Sequence, residues 1–111
     1  MALSHCTDED RQVIADSLRA SVEGPFFPDW EFATLFGLER VEVAEVLRAW
    51  PGIDASDERV DLAVNNALGN LVGYPHGHER DWDCFLSVPP SRLLEVLKRW
   101  RQRPDASATS R

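Results

Sequence analysis

Apolar residues recur at helical spacing through five stretches of the chain. Val13, Ile14, Leu18 and Val22 form the first stripe, since residues three and four apart share one helix face. Thr7 is placed to cap it, and Asp8, Glu9 and Asp10 fill the first turn, where carboxylates suit the helix dipole. Gly24-Pro25 is expected to end it, glycine by tolerating left-handed backbone and proline by refusing to continue a helix. Phe32, Leu35 and Phe36 give a short second stripe, with Asp29 as cap and Gly37 as stop. Val43, Val46, Leu47 and Trp50 give the third, stopped by Pro51-Gly52. The fourth is the longest: Val60, Ala63, Val64, Ala67, Leu68, Leu71 and Val72, with Asp54 or Ser56 as cap and Gly73 at its close. Pro89-Pro90 opens the last helix, whose Leu93, Leu94, Leu97 and Trp100 read as its buried stripe. The pattern predicts an all-α fold, a compact bundle of about five helices near 7–23, 29–36, 39–50, 57–72 and 90–103. Between the last two, Cys84 to Val88 fits either a short extended piece or a single turn.

The densest apolar segment runs from Gly24 to Gly52 and holds four of the five Phe and two of the four Trp. Its two helices about Gly37 resemble a helix-turn-helix over Asp29 to Arg48. Ala33 falls where that motif wants a small residue, and Gly37 falls at the turn. Phe32, Phe36, Leu38, Val43 and Val46 take the buried positions. The second helix then turns Glu39, Arg40, Val41, Glu42, Glu45 and Arg48 outward. Three carboxylates against two guanidiniums make a poor phosphate reader, which favours a structural corner over a DNA-binding one. The segments FFPDWEFATLFGLER and AVNNALGNLVGYPH resemble a group of small bacterial proteins of unknown function, over roughly Gly24 to His78 and the last helix. That resemblance implies a compact helical fold and assigns no site.

Charge narrows the partners. The 111 residues suit one domain, expected over 7–103, with a flexible start at 1–6 and a disordered tail at 104–111. The net charge is −7 and the pI about 4.8. This argues against nucleic acid or an anionic membrane as partner, and leaves a basic protein surface or a cationic ligand. From Asp29 to Asp61 there are nine acids and three bases, whereas Arg92 to Arg103 holds five bases and one acid. Cys6 and Cys84 make no disulfide framework, and Met1 to Cys6 lacks the apolar run of a leader, so a reduced cytoplasmic protein is expected.

Candidate chemistry is sparse. His76, His78 and Cys84 lie within nine residues and offer a metal-binding alternative, although the spacing matches no zinc motif. Cys84 beside Phe85 and Leu86 otherwise reads as a small core residue. A phosphate loop, a serine elbow and a paired-carboxylate signature are all missing, so neither an enzyme nor a cofactor is expected. On the fourth helix Asn65 and Asn70 border the apolar stripe and suit loop-tying bonds, while Asn66 points away and is a candidate contact. Trp50 and Trp100 read as core anchors, Trp82 as a loop clamp or an exposed contact. The leading reading is a small acidic protein-binding module, such as an immunity protein or inhibitor of a basic partner. Its candidate surface is Glu39, Glu42 and Glu45 on the third helix, with Asp54, Asp57, Glu58 and Asp61 beyond and Trp30 as the apolar anchor.

Overall fold

Thr7 Oγ accepts the backbone N–H of Asp10 at 3.0 Å and starts the first helix, α1, at Asp8–Glu23. In the computed structural model, which describes residues 7–52 and 57–102, it is followed by α2 (Asp29–Phe36), α3 (Arg40–Ala49) and α4 (Glu58–Gly73). A 3-10 turn at Glu79–Asp81 then runs into the one-turn helix α5 (Trp82–Phe85), and α6 (Pro90–Arg101) closes the domain. The described residues thus form six helices and contain no strand. The piece left open at 84–88 resolves as helix up to Phe85, beginning earlier than expected, at Trp82.

The apolar stripes converge as their spacing requires. α4 is the centre of the bundle: it packs on α6, α1, α3 and α2, while α1 and α3 pack on each other. Ile14, Leu18, Phe36, Val43, Val64, Leu68, Leu93 and Trp100 fill the core with at most trace exposure. The radius of gyration is 12.9 Å, against about 13 Å expected for a compact chain of this length. In α6 the buried set is Leu93, Val96, Leu97 and Trp100; Leu94, expected inside, is 48% exposed. Val96 supplies the i+3 position of the stripe instead.

Three local expectations change. Gly24 does end α1, but at φ −85°, so handedness does not require glycine there. Space does: a Cβ on Gly24 would lie 2.6 Å from the Ala20 carbonyl oxygen and 2.9 Å from the Phe26 ring. Gly37, at φ +71°, is the helix stop that needs left-handed backbone. Asp29 does not cap α2. Pro28 holds the cap position, and the Asp29 carboxylate instead meets Arg40 Nη2 at 2.9 Å. The cap of α4 is Asp57, whose carboxylate accepts the Arg59 N–H at 2.8 Å; Asp54 and Ser56 lie outside the described residues.

The helix ends are closed by side chains from elsewhere. The last carbonyls of a helix have no partner within it. Arg40 of α3 turns inward, contrary to its expected outward place, and its Nη1 donates to the Ser21 and Val22 carbonyls of α1 at 3.0 Å. Its Nη2 reaches the Phe27 carbonyl at 2.9 Å, and the guanidinium lies 4.4 Å over the Phe32 ring. Asn66 and Asn70, one turn apart on α4, donate to the Phe36 and Leu35 carbonyls of α2 at 2.8 and 3.0 Å. Arg19 of α1 donates to the Phe85 carbonyl of α5 at 3.2 Å.

Candidate interaction surface

Trp30 stands on the first turn of α2 with 80% of its surface exposed. Its neighbours on that turn, Asp29 and Glu31, are both fixed: Asp29 by Arg40, and Glu31 by the Tyr74 hydroxyl, which donates to its carboxylate. That bond also raises the Tyr74 pKa above its ordinary value, because ionising the phenol would set it against Glu31. The Asp29–Arg40 contact joins the first turns of α2 and α3. Trp30 and Val41 each follow one of these two residues in sequence, and Val41 is 62% exposed. The exposed indole thus stands on a turn whose flanking side chains are both held.

The acidic candidates divide. Glu39 and Glu58 are exposed. Glu42 is half-buried, and its carboxylate accepts the backbone N–H of Glu39 at 2.8 Å, so it serves the start of its own helix. Glu45 lies 3.7 Å from Arg59, and Asp57, besides capping α4, lies 3.9 Å from the same guanidinium. Asp61 accepts the Trp100 indole N–H at 3.0 Å, which ties α4 to α6. Asp54 lies outside the described residues. Asn66 does not point away: it is the donor to the Phe36 carbonyl and also accepts from Asn65 at 3.2 Å. Asn70 and Asn65 bond helices where loop-tying was expected: Asn70 ties down the end of α2, and Asn65 accepts the Arg101 Nε–H at 2.8 Å and so joins α4 to α6.

With Arg40 turned in, the face of α3 expected to read phosphates keeps Arg48 as its exposed base beside Glu39, Val41 and Glu45. Ala33, at the position where a helix-turn-helix packs a small residue between its helices, is exposed. Both facts weigh against a DNA-reading role.

His76 has its ring buried, and both ring nitrogens are used. Nδ1 accepts the His78 backbone N–H at 2.9 Å, which assigns the proton to Nε2, 3.2 Å from the Leu71 carbonyl oxygen. Neither nitrogen is left for a metal. His78 faces Asp81 at 3.3 Å, and Cys84 is exposed and so is no core residue. Among the described residues no group of three or more His, Cys, Asp or Glu is arranged to hold a metal ion. Trp82, by contrast, is buried, donating its indole N–H to the Val88 carbonyl at 2.8 Å and meeting the Phe26 ring edge-on. It clamps the long connection. Trp50 is half-buried; its indole N–H bonds the Arg11 carbonyl at 3.0 Å and its ring leans on Trp100, which is fully buried.

Two features of this surface escaped the sequence reading. Val41 was only one of several outward positions, and nothing marked Tyr74, Pro75 and Glu79 as lining a cleft between the end of α4 and the start of α6. The nearest signal was the run Gly73-Tyr74-Pro75, an aromatic held between two residues that interrupt regular structure. No described helix is long and apolar enough to cross a membrane. Comparison with protein-family models, with curated proteins and with solved structures finds no match.

Proposed function

We propose that this protein is a small acidic binding module that inhibits or neutralises a basic protein partner through the corner of α2 and α3. The observation that carries the reading is Trp30, 80% exposed on a turn whose flanking side chains are both engaged. An indole held out in this way offers a large rigid contact area at little entropic cost, which is how a few aromatic residues come to dominate protein interfaces. Val41 extends the apolar contact. Glu39, next to Arg40, remains exposed, and the chain carries a net charge of −7, so a cationic partner would be drawn in by the field and held by the indole.

The test compares basic proteins retained from the source cells by immobilised wild type and by Trp30→Ala at low and at moderate salt. Because Trp30 packs little, the variant should melt with the wild type. Retention should fall with salt and drop by about thirtyfold or more in affinity for Trp30→Ala, as for an interface anchor of about 2 kcal/mol. A partner held equally by both proteins would sink the reading.

A further inference from the structure

Resting on the reading above, we propose that the cleft between the end of α4 and the start of α6 receives one long cationic side chain, lysine or arginine, of the basic partner. The cleft measures about 190 Å³. That is below the roughly 300–1,000 Å³ of pockets that enclose whole small-molecule ligands, and suits a single side chain. Val72, Pro75 and Pro90 line it with apolar surface, Tyr74 and Trp82 with aromatic rings, and Glu79 with a carboxylate.

Glu79 points to a cation. Its side chain is 82% exposed and lies 4.0 Å from His76 Nδ1. That nitrogen accepts the His78 N–H and therefore holds no proton, so the contact is no ion pair. Among the described residues Glu79 thus has no lysine or arginine in ion-pair contact, and its carboxylate lines a cleft whose other walls are mainly apolar and aromatic. Lysine and arginine have the matching form: a methylene stem that packs on apolar surface and a charged head that prefers a carboxylate or a ring face.

The cleft also adjoins the Trp30 corner. Tyr74, one of its walls, donates its hydroxyl to Glu31, the residue after Trp30. A basic segment anchored on Trp30 has the cleft within its next few residues.

The probes are N-acetyl-lysinamide, N-acetyl-argininamide and N-acetyl-norleucinamide, titrated into the 15N-labelled protein. With either cationic probe, the Trp82 indole N–H and the Gly73 and Glu79 amides should shift together, with a dissociation constant on the order of millimolar. Glu79→Gln should weaken this about threefold and Glu79→Lys should abolish it. Both variants alter an exposed side chain, and their own spectra report whether they fold. The norleucine probe should leave those signals in place. Equal shifts from norleucinamide would mean an apolar cleft and overturn the proposal, as would an absence of shifts from either cation. If Glu79→Lys left capture of the basic partner unchanged while Trp30→Ala removed it, the cleft would fail and the binding-module reading would stand. Loss of capture in both variants, with saturable shifts from a cationic probe, supports both.

Discussion

Asp10 is fully buried at the start of α1, and Arg99 closes on its two oxygens from α6 with Nε at 2.7 Å and Nη2 at 2.6 Å. Those hydrogen bonds hold its pKa below the ordinary 3.8, against the desolvation that would raise it. A lowered native pKa means that the folded state prefers the ionised form. The contribution is therefore complete above pH 3.8, where the unfolded chain is ionised too, and is lost as the pH falls through the lower native value. Asp10→Asn should cost about 2 kcal/mol at pH 7, because Arg99 keeps only part of its partner and is itself partly solvated. Urea unfolding at a series of pH values would check this: the gap between wild type and variant should narrow only below pH 3.8. An unchanged gap down to the lowest pH at which the protein still folds would show that the carboxylate charge is not what matters. In the sequence Asp10 is one of three acids in a first turn, and nothing there separates it from Asp8 and Glu9. Its partner lies 89 residues away, and local pattern carries no information at that range. Arg40 is hidden for the same reason. By helical angle it stands at the border of the buried stripe, three residues before Val43 and seven before Leu47, and its long side chain folds back onto carbonyls of α1.

At the scale of elements, the amphipathic stripes were legible because each is long enough to repeat a 3.6-residue period. The 3-10 turn and the four residues of α5 are too short to repeat anything, so that connection stayed open. The error at Leu94 was avoidable: Leu93, Val96, Leu97 and Trp100 also stand at i, i+3, i+4 and i+7, and that set keeps one face where Leu93 and Leu94 together straddle two. What the pattern could not show is how helix ends are sealed. Asn66 and Asn70 donate to adjacent carbonyls of α2, so Asn66→Ala and Asn70→Ala should each cost about 1 kcal/mol by leaving a partly buried carbonyl without its donor. Chemical denaturation would measure both, and amide exchange should quicken in α2 before the rest of the core. The glycines make a sharper comparison, because three of them are glycine for different reasons. Gly24→Ala should cost about 1–3 kcal/mol through the 2.6 Å clash with the Ala20 oxygen. Gly37→Ala should cost about 1 kcal/mol through its φ of +71°. Gly69, inside α4, has only an ordinary contact to Leu97 at 3.9 Å, so Gly69→Ala should stabilise by about 0.5–1 kcal/mol. Melting curves that ranked the three in another order would contradict these assignments.

At the scale of the whole molecule, the sequence displayed the charge but not its employment. Nine acids between Asp29 and Asp61 suggested one acidic face. Among those described, Asp29 is tied to Arg40, Glu31 to Tyr74, Asp57 to its own helix start and Asp61 to Trp100. The half-buried Glu42 holds the backbone of Glu39. A charge reversal at Glu42 would therefore act on α3 itself, costing about 1 kcal/mol as a lost capping contact, and would confound any reading of an interface. Glu45 and Glu58 are the better pair. Both are exposed, and the Glu45–Arg59 contact at 3.7 Å is a solvated one, of the kind that contributes little to stability. Glu45→Lys with Glu58→Lys moves the net charge from −7 to about −3 and leaves the residues that tie the Trp30 turn untouched. Exposed charges outside the contact act mainly on the encounter rate, through a field that salt screens over about 10 Å at 0.1 M. The doubly reversed protein should unfold within about 1 kcal/mol of the wild type. At low salt it should associate with the basic partner at least tenfold more slowly, with a flatter dependence on ionic strength and a dissociation rate that changes less. Trp30→Ala should show the opposite division, a nearly unchanged association rate and a much faster dissociation. Stopped-flow measurements across a salt series separate the two. If the doubly reversed protein associates at the wild-type rate at low salt, the field of these two carboxylates does not steer the partner, and the steering charges lie elsewhere on the surface.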